Sequence, residues 1–119
     1  TAPLEIIHAP YSTGGGVAVT RELLAKHPGL DGILCGSDRQ ALGVLAVLRE
    51  AGRNIPGDVK VVGFDDHAFA VETTPALTTI AQPIFEVGAS GARLLNGLGE
   101  RRAIHSLTLP TTLVVRETT

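Results

Sequence analysis

The chain has 119 residues, 44% of them hydrophobic and 18% charged, which is enough for one core of ordinary size and hardly two. A net charge of -2, with no Lys/Arg cluster larger than the pair Arg101 and Arg102, leaves no electrostatic footprint for direct contact with a phosphate backbone. No apolar stretch approaches the ~20 residues of a bilayer span, and no basic segment followed by a hydrophobic one opens the chain, so no membrane partner is expected.

Residues 4–7 read as a short strand, followed by Pro10 and a loop carrying the glycine run Gly14, Gly15 and Gly16. Val17, Leu23 and Leu24 then line one side of a helix that stops near Pro28 and Gly29. Gly32, Ile33, Leu34 and Cys35 make a second strand. Ser37 opens a second helix with Ala41, Leu42, Leu45 and Leu48 on its apolar face, and Gly52 ends it. The lone cysteine excludes an intrachain disulfide. Within an apolar run it reads as a buried reduced thiol, which fits a cytoplasmic location.

Residues 59–64 form a β-branched run that ends in Gly63, Phe64, Asp65 and Asp66, the pattern of a buried parallel strand. The order is then β-α-β-α-β, an α/β fold with a parallel sheet flanked by helices. Strands of this kind aim their carboxyl ends at one edge, so residues 8–12, 36–38 and 64–66 should converge there. Beyond Pro75, residues 77–80 are strand-like. Ile84, Val87, Leu94, Leu95 and Leu98 mark a third helix, in which Gly88 and Gly91 suggest close packing. A polar turn at 99–102 precedes an extended segment at 107–115, bent at Pro110.

Ser37 and Gln40 fit a capping box, in which serine accepts an early helix amide and glutamine returns to the serine amide; Asp38 favours the helix dipole. Helix initiation explains this cluster as well as ligand contact does. Asp65 and Asp66 offer acid/base or metal chemistry, but no partner carboxylate, histidine or nucleophile is spaced convincingly for it, and His67 is adjacent without any zinc-type pattern. Turn formation is the plain alternative. The glycine run matches neither phosphate-binding glycine pattern. Tyr11 is a candidate stacking platform, or equally a cap on the core. No catalytic residue, metal or cofactor is expected.

In order and spacing these features resemble the LacI/GalR family of bacterial transcriptional regulators, in the C-terminal part of the effector-binding core. The match runs through Tyr11, Ser12 and Gly16, then Gly36, Ser37, Asp38, Arg39, Gln40, Ala41, Leu42 and Gly43. It continues from Val62 to Asp66, over Pro75, Leu77, Thr78, Thr79 and Ile80, through Gln82, Pro83 and Gly88, and ends on Leu109, Pro110, Leu113, Val114, Val115, Arg116, Glu117 and Thr118. The resemblance implies a periplasmic-binding-protein-like type I fold, here incomplete, with a small effector held between two subdomains. Residues 1–82 and 103–119 would belong mainly to the C-terminal subdomain, and 83–102 to a helix of the N-terminal one. Tyr11, Ser37, Asp38, Asp65 and Gln82 would face a sugar or related polar effector. Leu42, Leu45, Phe69 and Thr73 would lie at a homodimer interface.

Two positions depart from the family pattern: Ser37 stands where asparagine is usual, and Arg39 where apolar or amide side chains are frequent. Nothing in the chain resembles a helix-turn-helix headpiece, so operator DNA would be reached only through that segment of an intact repressor. An exported sugar-binding protein of a transport system has the same fold and is the rival reading. A small enzyme using Asp65 and Asp66 is a more distant one.

Overall fold

Two helices that meet on bare backbone organise the chain. In the computed structural model, which describes residues 5–99 and 106–119, α1 (Thr13–Lys26) packs along α2 (Asp38–Glu50). A Cβ on Gly16 would lie 2.1 Å from the Gln40 carbonyl oxygen, and one on Gly43 would lie 2.2 Å from that of Thr13. Nothing larger than hydrogen fits at either position. The expected glycine loop is therefore corrected: Gly14, Gly15 and Gly16 form the first turn of α1, begun by Ser12, whose Oγ accepts from the Gly15 amide at 3.0 Å. Helical glycine costs roughly 1 kcal/mol per residue, and here the close approach of the two helices offsets it.

Ser37 caps α2 by accepting from the Gln40 amide at 3.2 Å, and Gly52 turns the chain away at φ 69°. The inner face of α2 buries Ala41, Val44, Leu45 and Leu48 against Cys35, Val59, Val61, Ala70 and Leu77. Leu45 is only 3% exposed, so its surface is already used by the core of a single chain and it has little left for a partner. Leu42, Phe69 and Thr73 remain half-buried.

The sheet starts from β1 (Gly32–Leu34), parallel to β2 (Lys60–Val62) with Ile33 opposite Val61. β2 continues in parallel fashion onto residues 77–81, with Gly63 donating to the Thr78 carbonyl at 2.8 Å and Asp65 to that of Ile80 at 2.9 Å. β3 (Thr79–Ala81) pairs antiparallel with β4 (Thr112–Val114), after which the Thr118 carbonyl accepts from the Val61 amide at 2.9 Å. The α/β class with a parallel core is as the sequence implied.

Several boundaries differ. Residues 5–7 are not in a strand, and Leu4 lies outside the described residues. Glu5 instead ties the segment to the end of α1 through Lys26, at 3.3 Å, and His27. The ladder strands are shorter than the apolar runs that predicted them, because Val59 and Phe64 flank β2 without pairing in its ladder, and β4 occupies only three residues near the end of the 107–115 segment.

Helix α3 (Ile84–Gly99) stands apart from the α1/α2 layer and rests on residues 106–111, giving the molecule extents of 58 × 27 × 27 Å. It leaves Ile84, Phe85 and Leu95 in the open, Phe85 at 83% exposure. Among the described residues the close packing expected at Gly88 and Gly91 is not made, for a Cβ at either would meet nothing within 4 Å. Most of the expected polar turn, including Arg101 and Arg102, lies outside the described residues.

Candidate functional site

Three loops and the end of β3 enclose a cleft of about 480 Å³ at the carboxyl ends of β1 and β2. Tyr11 comes from the loop before α1, while Gly36, Ser37 and Arg39 come from the junction of β1 with α2. Phe64, Asp65 and His67 follow β2, and Gln82 follows β3. This is where a parallel sheet collects loops, whether or not residues 5–7 form a strand.

Gln40 holds the first two loops together. Its Nε2 donates to the carbonyls of Ala9 and Pro10, both at 3.1 Å, and its Oε1 accepts from the Gly36 amide at 3.1 Å. The glutamine thus returns one residue short of the Ser37 amide that a capping box would use, and the gain is a fixed position for Tyr11. The tyrosine ring lies over Gly36, where a Cβ would come within 2.9 Å of it, and is otherwise open at 73% exposure.

Asp65 and Asp66 take φ of 113° and 57°. Non-glycine residues adopt such angles at a cost of order 1–3 kcal/mol each, which the surroundings must offset. The Asp65 carboxylate accepts from Gln82 Nε2 at 2.6 Å through Oδ1, and its Oδ2 lies 3.8 Å from His67 Nε2. The imidazole in turn stacks on Phe69, with centroids 5.2 Å apart. The lining is therefore a carboxylate, an amide, a hydroxyl, a guanidinium and an imidazole, with aromatic surface from Tyr11 and Phe64.

Asp38 sits elsewhere than the sequence placed it. It is fully buried and does not line the cleft. Its Oδ2 accepts from the His67 amide at 2.7 Å and its Oδ1 from the Thr79 hydroxyl at 2.5 Å, while Gly63 leaves room for the carboxylate. Asp38 thereby fastens the start of α2 to the loop after β2. Arg39, Phe64 and His67 join the cleft although they were not among the expected ligand-facing residues; their signal was adjacency to Ser37 and Asp65 at the two strand ends.

Neighbouring Cys35 is 6% exposed, and its thiol is pushed up to about 12 by burial and then by the nearby charge of Asp38. Among the described residues no group of three His, Cys, Asp or Glu side chains is placed to hold a metal, and no helix is long and apolar enough to cross a membrane. What the arrangement can do is hydrogen-bond a compact polar molecule on several sides while covering part of it with an aromatic ring.

A cleft of this kind, at the carboxyl ends of parallel strands, is where α/β proteins of the open-sheet class hold their ligands. Residues 2–119 match the periplasmic binding protein-like domain, and the chain belongs to that family. It is 39% identical over 116 residues to the ribose operon repressor of Halalkalibacterium halodurans, covering 96% of this chain and 35% of that one. Among solved structures, the complex of the regulator CelR with cellobiose superposes with a TM-score of 0.89 at 40% identity, over 93% of this chain and 35% of that one. The lac repressor dimer bound to operator and the anti-inducer ONPF gives a TM-score of 0.85 at 31% identity, over 91% and 38%. The chain thus spans about a third of the length of the relatives it matches.

Proposed function

We propose that this chain supplies one wall of the effector site of a transcriptional repressor, and that the effector is a sugar or a closely related polyol. The single observation that carries this reading is Asp65, held at positive φ beside the open face of Tyr11 with Gln82 on its carboxylate. A carboxylate accepts from two adjacent hydroxyls, and an aromatic face covers the apolar side of a sugar ring. Ser37 and Arg39 add a hydroxyl and a fork of donors across the cleft, and Gln82 offers its amide once the sugar takes over Asp65.

Regulation follows from differential affinity. An effector that binds one arrangement of the cleft better than another shifts the population of the DNA-binding form, and does so only by that difference. The intact repressor acts as a homodimer, with the outer face of α2 around Leu42 and the segment carrying Phe69 and Thr73 at the two-fold contact, and it meets operator DNA through a separate headpiece. This assignment involves no catalysis, and it places the protein in the cytoplasm. Calorimetric titration of the protein with a panel of neutral mono- and disaccharides tests the reading. Saturable binding of at least one sugar is expected, and no heat from any member at millimolar concentration would refute it.

A further inference from the structure

Among the described residues, Asp65 and Asp66 are the only non-glycine positions at positive φ, and they stand next to each other. A turn of this kind survives only where neighbours over-determine it. Most of its restraints come from segments already lining or backing the cleft: the Ile80 carbonyl, which accepts from the Asp65 amide at 2.9 Å, Asp38 beneath His67, and Gln82 on the Asp65 carboxylate. One comes from a different part of the chain. Arg116, two residues beyond β4, donates from Nη2 to Asp66 Oδ1 at 2.7 Å and from Nη1 to the Leu77 carbonyl at 2.8 Å. Its own amide donates to Thr78 Oγ1 at 2.8 Å, so both ends of the side chain are fixed.

The ion pair is well shielded, with the arginine side chain 16% exposed and its partner 29%. Neither residue lines the cleft. Arg116 therefore joins the returning segment, the strand that leads to Gln82, and the turn that presents Asp65. Its planar fork reaches the two acceptors from two separate nitrogens held in a fixed geometry, whereas the donors of an ammonium all radiate from one nitrogen on a flexible stem.

We propose that Arg116 is a positioning residue for the ligand-facing carboxylate: by clamping Asp66 to the segment behind β3, it holds the 65–66 turn so that Asp65 keeps its oxygens toward the cleft. Effector affinity then depends on a side chain that touches no effector, and a shift of the returning segment is felt at Asp65. Only the affinity part of this proposal rests on the sugar-binding reading.

Amide hydrogen exchange and calorimetry on the folded protein test it together. Arg116→Gln should speed exchange at the Asp65 and His67 amides by about tenfold. The Cys35 amide, bonded to the Val62 carbonyl in the β1–β2 pair, should stay close to its original rate. Saccharide affinity should fall about tenfold, Arg116→Lys should recover part of it, and Asp66→Asn combined with Arg116→Gln should cost no more than either alone. Unchanged protection at Asp65 and His67, equal acceleration at all amides, or additive losses in the double variant would each overturn the proposal. Should the unsubstituted protein bind no saccharide, the functional reading fails, and the exchange rates still decide the role of Arg116.

Discussion

The Thr79 hydroxyl donates to Asp38 Oδ1 at 2.5 Å, and neither residue has any exposed surface. This contact joins the first residue of α2 to the first residue of β3, and the second oxygen of the same carboxylate carries the His67 amide. A buried carboxylate with both oxygens occupied is a structural fastening, and truncating it leaves two donors without partners. Asp38→Ala is therefore expected to destabilise the protein by about 2–4 kcal/mol. Urea unfolding measures this; a midpoint within error of the unsubstituted protein would contradict it.

Close approach of α1 and α2 yields a second prediction. Gly43→Ala places a methyl group 2.2 Å from the Thr13 carbonyl oxygen, which is backbone and cannot swing aside. The helices must separate, at a cost of about 1–3 kcal/mol. Gly29→Ala, where a Cβ meets nothing within 4 Å, is the control and should be close to neutral. Equal melting temperatures for the two variants would contradict the tight crossing.

The Cys35 thiol should be slow to react in the native protein, since its pKa is raised from 9.0 to about 12 and it is buried. Alkylation at pH 8 is expected to become fast only in denaturant. Linkage fixes the sign for stability. Above about pH 9 the unfolded thiol loses its proton while the folded one keeps it, so this group lowers stability as pH climbs toward 12. Cys35→Ser should flatten that alkaline slope, and an unchanged slope would argue against the assignment.

Ile84, Phe85 and Leu95 expose apolar surface on α3, and Leu42 adds a half-buried contribution on α2. Apolar area of this kind favours association. At high micromolar concentration the isolated chain is expected to scatter light as a dimer or larger species, with Leu42→Lys and Phe85→Glu each raising the monomer fraction. A clean monomer for the unsubstituted chain would count against both surfaces.

The sequence carried the helices and the strand-end chemistry better than it carried the ladders. Leu45 and Leu48 announced the buried face of α2 by helical spacing, and the β-branched run ending in Asp65 announced the strand end. Residues 4–7 looked equally strand-like, but a strand needs a neighbour, and Glu5 finds Lys26 and His27 instead. The run Gly14, Gly15 and Gly16 reads as a loop because the contact that requires a glycine at Gly16, the Gln40 backbone of α2, lies far off in sequence. The inward turn of Asp38 was hidden for the same reason: its partners, His67 and Thr79, are 29 and 41 positions away. Arg116 gave no local sign of its bond to Asp66, 50 positions distant.

The most direct measurement is the affinity of the folded protein for its best saccharide before and after Asp65→Asn. The exchange removes the charge but keeps the shape, and it sits on a carboxylate that already accepts at 2.6 Å from Gln82. Loss of a charge-assisted hydrogen bond should weaken binding by about 1.5–3 kcal/mol while the melting temperature stays near its original value. Unchanged affinity in a variant shown to be folded would contradict the assignment of the cleft.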